Sequence, residues 1–422
     1  MGEQSPRVVV VGAGFAGLQV VHRLAGEPVD VTLVDRRNYN TFQPLLYQVA
    51  TAGLDEGGVA HTIRAIFADD SNVDVQLGTV LGIDRERRIV ELNDGGALRY
   101  DALVLAAGAT TNDFGIPGVA EYAYPLYTLS EAVKLRQHVL SCFEATERDP
   151  RLVDDGALTC VIVGGGPTGV ETAGTMSELF HEVLSKGYRR ADVSRARVML
   201  IEMGPELLSN FRAASRRHAR ETLKNRGVEI RFGERVAQVS PTSVRLASGE
   251  EVTTQTVIWT AGVRVNSLAD HLGLEQTSGG RIVVEPDLSL PNDPTIFVVG
   301  DIAAARDKHG QMLPQLAPVA MQGGAHAGEQ ILRHLHGEPT RQFRYRDKGT
   351  MATIGRRAAV ADLPFGITLQ GTIAWLAWLV LHLVYLIGFQ NRAQVLIQWA
   401  WNYVTWDWGP RLVLDPDDEV ST

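Results

Sequence analysis

The chain has 422 residues, 45% hydrophobic and 21% charged, enough for two or three domains with ordinary globular cores. A formal net charge of -9 with no long Lys/Arg run gives no electrostatic reason to approach nucleic-acid phosphates, and no nucleic-acid partner is expected. Cys142 and Cys160 are the only cysteines and have neither CxxC nor metal-ligand spacing, which excludes a disulfide framework and a thiolate zinc site and fits a reducing compartment. The opening run RVVVVGAG is too short for a signal peptide and breaks at glycine, so secretion is not expected. Val8–Val11 predict a strand buried on both faces, followed by GAGFAG and the helix-periodic LQVVHRLAG. In Gly12-x-Gly14-x-x-Gly17, the first glycine permits the turn, the second admits a pyrophosphate and the third lets helix and strand pack closely. The next strand, VDVTLVD, ends at Asp35, whose carboxylate suits a ribose diol.

The pattern recurs at TCVIVGGGPTGVETAGTMSEL, with Gly164-x-Gly166-x-x-Gly169, and its second strand, RVMLIE, ends at Glu202. The longer delay to this acid is accounted for by a longer helix and a basic loop. A carboxylate there favours the free hydroxyls of NADH over the extra phosphate of NADPH. YDALVLAAGA and TVIWTAGV predict matching return strands ending in small-residue turns at Ala107-Gly108 and Ala261-Gly262, and PTIFVVGDIA ends a further strand at Gly300-Asp301, where an aspartate can hold the sugar-alcohol chain of a flavin. Two dinucleotides are therefore expected. No metal site is predicted: His181-Glu182 lacks the second histidine of a zinc helix, and His334 with His336 sits in a polar turn.

With these units in place the sequence resembles the two-dinucleotide flavoproteins, and within them the type II NADH dehydrogenases, single-subunit NADH:quinone oxidoreductases. The closer likeness rests on FQPLLYQVATAGL (42–54), GGGPTGVETAG, KGTMATIGRRAAV (348–360), HLVYLIGFQNR and WAWNY. The resemblance implies an α/β fold of two Rossmann-like domains: an FAD domain (1–125 and 276–345) interrupted by an NADH domain (126–275), then a C-terminal helical membrane-associating region (346–422). It implies FAD contacts at Gly12, Ala13, Gly14, Phe15, Ala16, Gly17, Asp35, Arg36, Val80, Ala107, Gly108, Gly300, Asp301, Ala317 and Pro318. NADH contacts follow at Gly164, Gly166, Thr168, Gly169, Glu202, Ala261 and Gly262. Oxidation of NADH, two-electron reduction of a membrane menaquinone or ubiquinone and no proton pumping are expected, on the cytoplasmic face of the cell membrane as a peripheral protein.

The family motif AQxAxQ stands here as APVAMQ, with Pro318 replacing the first glutamine and Gln322 retained as a quinone contact. Proline also suits the start of a helix, where its missing N–H is no loss. Glu171, two residues past Gly169, occupies the family's carboxylate position near nicotinamide and flavin; the plainer use is an acid complementing a helix N-terminus. The stretch YNTFQPLLYQVA carries no cysteine to relay electrons, and Cys142 and Cys160 read as small buried hydrophobes, so electrons must leave from the flavin.

The run 371–389 approaches the length of a membrane span, but His382 and the scattered Trp375, Trp378 and Tyr385 argue for a surface-lying helix. The next helix is read as amphipathic, Gln394, Gln398, Asn402 and Thr405 on one side and Val395, Leu396, Trp399, Tyr403 and Trp406 on another. Six of the 7 tryptophans fall between 375 and 408, the placement expected at a lipid headgroup boundary, so residues 371–408 are expected to meet the bilayer surface. A protein interface, including a homodimer, is the other use of the same faces. The alternatives in function are a soluble NADH oxidase or electron-carrier reductase, and a nucleotide-sensing flavoprotein without turnover.

Overall fold

The structure is a computed structural model that describes residues 5–405, 409 and 411–413; Trp406 and Trp408 lie outside the described residues. It divides into two compact units, one formed by Met1–Asn40, His61–Thr110 and Val263–Asp347, the other by Thr41–Ala60, Thr111–Gly262 and Lys348–Thr422. The C-terminal region, set apart in the sequence reading, thus clusters with the second dinucleotide unit, as does 41–60.

The first unit is built on a six-stranded sheet in the order Ser289–Leu290, Asp293–Val298, Ala102–Leu105, Arg7–Val11, Asp30–Asp35, Val73–Leu77. All pairings but the first are parallel. Val8, Val9, Val10 and Val11 are buried in its centre, as an unbroken β-branched run should be when both faces are covered. On one face the helices Phe15–Leu24 and Ala317–Leu335 pack against each other. The contact needs Gly324, where a Cβ would stand 2.1 Å from the Ala16 carbonyl oxygen.

The second unit repeats the plan with a five-stranded parallel sheet, Tyr124–Pro125, Thr256–Trp259, Thr159–Val163, Arg197–Glu202, Glu229–Phe232. In each unit the strand before the glycine motif lies between its successor and the return strand. The helix Leu129–Arg148 opens with a capping box, Thr128 and Glu131 satisfying each other's amides. The C-terminal part adds an antiparallel sheet of Thr350–Thr353, Ala359–Asp362 and Thr368–Gln370, then the helices Gly371–Tyr385 and Phe389–Thr405.

Three expectations for this region are corrected. The apolar run does not form one helix through residue 389: Leu386 turns to an extended conformation, Gly388 takes φ +84°, and a second helix begins at Phe389. Fifteen residues reach ~22 Å, short of a ~30 Å hydrocarbon core; among the described residues no helix is long and apolar enough to cross a membrane. Secondly, Trp375, Trp378 and Trp399 are core residues rather than headgroup anchors, whereas Trp401 is exposed. Thirdly, the polar side of the last helix does not simply face water. Asn391, Gln398 and Asn402 turn inward, where their amides donate to Ala60 O at 3.1 Å, Asp55 Oδ2 at 3.3 Å and Gly53 O at 2.7 Å. Leu396, Ile397, Trp401 and Val404 are left outside.

Candidate functional site: two dinucleotide cradles and a buried carboxyl

Both glycine motifs have the same internal geometry. Gly12 and Gly164 take φ +102° and +111°, and a Cβ there would meet the return strand at Ala106 O (2.5 Å) or Thr260 O (2.6 Å). Gly17 and Gly169 are pressed on the turn itself, with a virtual Cβ 1.8 Å from Gly12 O and Gly164 O. Gly14 and Gly166 differ: each is the N-cap of its helix, each has open space where a Cβ would be, and neither provides a side-chain cap. No acid occupies the first turn of either helix, so the leading amides face a space suited to an anion.

The strand-end acids hold these turns. Asp35 accepts from Ala13 N (2.7 Å) and Arg37 N (2.8 Å), and Glu202 from Gly165 N (2.6 Å) and Gly204 N (2.6 Å). Each carboxylate oxygen retains further acceptor capacity for a ribose hydroxyl. Asn40, unpredicted, is buried and donates to Ala13 O at 2.7 Å. Thr260, also missed, donates to Val163 O at 2.8 Å. Neither carries a sequence signal, because each acts by reaching a backbone group distant in the chain.

In the first unit Phe15 and Ala16 open the helix beyond the turn, Gly300 takes φ +77° and its virtual Cβ stands 3.2 Å from Ala16 Cβ, and Asp301 follows in the turn Gly300–Ile302. Asn266 donates to Ala107 O at 3.2 Å beside Gly108, while Arg36 is exposed after Asp35. Val80 begins the strand Val80–Asp84 and packs on the core. Ala317 and Pro318 are the first two residues of their helix. Further along it, the Gln322 amide pairs twice with the Arg346 backbone, both at 3.0 Å, so this side chain is held by the fold. In the second unit Thr168 is exposed in the first turn, and Ala261 and Gly262 end the return strand, Gly262 at φ +147°. Among the described residues no cluster could hold a metal ion.

Glu171 is not in the first helical turn. It is the fifth residue of Pro167–Glu178, 8% exposed, and its Oε1 accepts from Thr353 N at 3.2 Å. Burial pushes its carboxyl from 4.5 up to about 8, opposed by that amide and by the Trp378 indole. An acid placed to complement a helix end would remain ionised; this one is neutral at pH 7. Tyr47 lies beside it, its hydroxyl 3.0 Å from Thr353 Oγ1 and accepting from Gln48 Nε2 at 2.8 Å. Trp399 Nε1 donates to Gln48 Oε1 at 2.7 Å and closes the chain of contacts. The cysteines are elsewhere and inert: burial raises the Cys142 thiol to about 11 and the Cys160 thiol further.

Residues 6–324 match the pyridine nucleotide-disulphide oxidoreductase family, and residues 348–405 match the NDH2 C-terminal domain. The type II NADH:quinone oxidoreductase Ndh of Mycobacterium tuberculosis is 37% identical over 97% of this chain and 90% of its own length. The chain belongs to the type II NADH:quinone oxidoreductases. The structure of NDH2 from Plasmodium falciparum in complex with NADH superposes with a TM-score of 0.88 at 20% identity, covering 97% of this chain and all of the other. The sulfide:quinone oxidoreductase of Aquifex aeolicus shares the fold at TM-score 0.74 and 17% identity, over 95% and 96% of the two chains. At that identity the likeness speaks for architecture alone. This type II chain's only two thiols are both buried.

Proposed function

We propose that this chain oxidises NADH and reduces a membrane quinone by two electrons, with FAD held by the first unit and NADH by the second. The observation that carries the reading is the doubled cradle: two open glycine N-caps, each with its turn fixed by a strand-end acid, in a chain of the type II family. FAD, when bound, supplies the hydride acceptor and the two-electron donor.

The protein's own groups bind and orient. Amides of the turns at Gly12–Gly17 and Gly164–Gly169 take pyrophosphates, with Thr168 at the second. Asp35 and Glu202 accept ribose hydroxyls, and Glu202 repels a 2′-phosphate, giving preference for NADH. Asp301 would hold the flavin's sugar-alcohol chain, Ala107, Gly108 and Gly300 would leave room for the ring, and the helix that opens with Ala317 and Pro318 would offer its positive end to a negative charge there. Glu171 keeps a proton on its carboxyl at neutral pH, available to a quinone that gains electrons. Proton pumping is no part of this reading.

The exposed stripe Ile373, Leu376, Val380 and Val384, with Leu396, Ile397, Trp401 and Val404 on the next helix, suits a bilayer surface. Four cations, Lys348, Arg356, Arg357 and Arg392, face a single acid, Asp362, between 348 and 405, which suits the anionic cytoplasmic leaflet. The protein is thus read as peripheral on that face.

The purified protein should be yellow, bleach with NADH anaerobically and regain its absorbance with a menaquinone or ubiquinone analogue. Saturable quinone dependence separates it from a soluble oxidase, and failure to reoxidise would leave the nucleotide-sensing reading. For the membrane, Leu376→Glu with Val380→Glu should move the protein from vesicles to supernatant. Unchanged sedimentation, or loss of a dimer instead, would assign the stripe to a second copy.

A further inference from the structure

Phe365 is the most exposed large apolar side chain among the described residues, at 101% of its full accessible surface, and it stands in the left-handed region at φ +61°. A bulky residue is strained there, and a phenyl ring left in water forgoes the stabilisation of burial; neither feature serves the packing of this chain. The ring sits at the tip of the loop Leu363–Ile367, between the strands Ala359–Asp362 and Thr368–Gln370, with Pro364 before it and the exposed Ile367 after.

The loop is nonetheless held in one shape. Leu363 N donates to Ile367 O at 2.8 Å and closes the turn. Arg212, the N-cap residue of the helix Ala213–Asn225, reaches across it: the guanidinium donates to Ile367 O at 2.8 Å, to Thr368 Oγ1 at 3.0 Å and to Leu363 O at 3.0 Å. The Arg212 amide donates to Asp362 Oδ2 at 2.6 Å, and Asp362 Oδ1 accepts from Ser215 at 2.8 Å and from Thr368 at 3.1 Å. The carbonyls at both ends of the loop thus have donors from the protein, and Pro364 has no N–H to satisfy. That is the condition for placing backbone in an apolar medium, where no water completes a missing hydrogen bond.

The surroundings indicate which medium. Leu363 and Leu369, on either side of the tip, pack on the cluster that holds Ala374 and Trp375 of the helix Gly371–Tyr385, so the loop is rooted on the helix that carries the exposed stripe Ile373, Leu376, Val380 and Val384. No Asp, Glu, Lys or Arg stands between Asp362 and Arg392, and Asp362 itself is buried with both oxygens engaged inside. A protein partner would meet a polar rim; a charge-free run with its nearest acid turned inward complements acyl chains beneath anionic headgroups. We propose that Leu363–Ile367 is a membrane wedge: the Phe365 ring, flanked by Pro364 and Ile367, enters the acyl boundary of the bilayer, and the Arg212 fork keeps the loop in the shape that enters. The proposal rests on the bilayer reading of the stripe and adds to it a second, non-helical contact. Arg212 is exposed at the root of the loop, which sets its charge among headgroup phosphates once the ring is inserted.

The test uses the flavin-loaded full chain and vesicles of phosphatidylcholine and phosphatidylglycerol. Phe365→Cys and, as a control on an exposed polar turn, Thr242→Cys are labelled with an environment-sensitive dye; Cys142 and Cys160 are buried and take none. With vesicles the dye at 365 should shift to shorter wavelength and be quenched by nitroxides in the acyl chains, while the dye at 242 stays open to aqueous iodide. Phe365→Gly suits the left-handed backbone and removes only the ring. It should weaken vesicle binding by about ten-fold or more, with the melting temperature and anaerobic bleaching by NADH little changed, and Phe365→Leu should restore most of the binding. Arg212→Lys keeps the charge and loses the fork, and should weaken binding as well. The proposal is overturned if the dye at 365 is as open to iodide as that at 242 in vesicle-bound protein, or if Phe365→Gly or Arg212→Lys binds as tightly as wild type. A dye shift that needs no vesicles and grows with protein concentration would overturn it in favour of a second copy over the loop. Wild-type protein that does not float with vesicles would instead remove the bilayer reading beneath it.

Discussion

Glu171→Gln should make the protein more stable, and more so as pH rises. Glutamine keeps an oxygen for the Thr353 amide and removes only the ionisation. In the unfolded chain the carboxyl titrates near 4.5, in the folded chain at about 8. Below 4.5 both states hold the proton and wild type and variant should differ little. From there to about pH 8 the unfolded chain releases the proton and the folded chain keeps it, so wild-type stability falls by ~1.4 kcal/mol per pH unit. At pH 7 the deficit is ~3 kcal/mol, and above pH 8 it levels off at ~5 kcal/mol. The folded-state stabilisation by the neutral form is therefore complete below 4.5 and lost as pH rises through about 8. Thermal melting of both proteins in matched buffers from pH 5 to about 9 measures the gap. A gap that is constant with pH, or a wild type more stable at about pH 9 than at 5, would refute the buried-acid reasoning. In the same variant quinone reduction should fall while bleaching by NADH persists.

Gly174→Ala places a Cβ 2.3 Å from the Ile354 carbonyl oxygen, a backbone atom that cannot swing aside, and should destabilise the second unit by ~1–3 kcal/mol; an unchanged melting temperature would show that the strand yields. Asn402→Ala strips the Gly53 carbonyl of its 2.7 Å donor and should cost ~1–3 kcal/mol, with faster amide exchange confined to residues around 48–55. A neutral-pH thiol reagent should label neither Cys142 nor Cys160 in the folded protein and both after denaturation, without loss of NADH oxidation beforehand; labelling that stops turnover would restore a thiol relay.

The cradles were legible because their logic is local. A buried valine run, three glycines in six residues and an acid at the end of the following strand specify a turn whatever lies elsewhere, and the structure returns both turns with the same close approaches. The residues that sequence missed or misplaced act over long range. Glu171 lies five residues into its helix, but its neutrality comes from burial, against the opposing pull of the Thr353 amide and the Trp378 indole some two hundred residues on. Gln322, marked by its motif, has both amide atoms bonded to Arg346, a use no local pattern announces. The tryptophans misled for a related reason: an aromatic cluster near a terminus is the same string whether the rings meet lipid or pack on Tyr47, as Trp378 does at 6.3 Å.

The last helix shows how function and stability share one arrangement. A helix laid on a protein with an apolar inner face and polar outer face would have nothing to offer a bilayer. Here the inward side carries Asn391, Val395, Gln398, Trp399 and Asn402, and its amides meet backbone carbonyls and a carboxylate of residues 53–60, a turn and a short helix whose end groups need partners once covered. Because hydrogen bonds secure the inner side, the apolar residues are free to stand outside. The same inner side reaches Gln48 through Trp399, and Gln48 reaches the Tyr47 hydroxyl beside Glu171. Displacing this helix therefore acts on the hydrogen bonds that position Tyr47, which links the exposed apolar stripe proposed to meet a bilayer with the hydroxyl that stands beside Glu171.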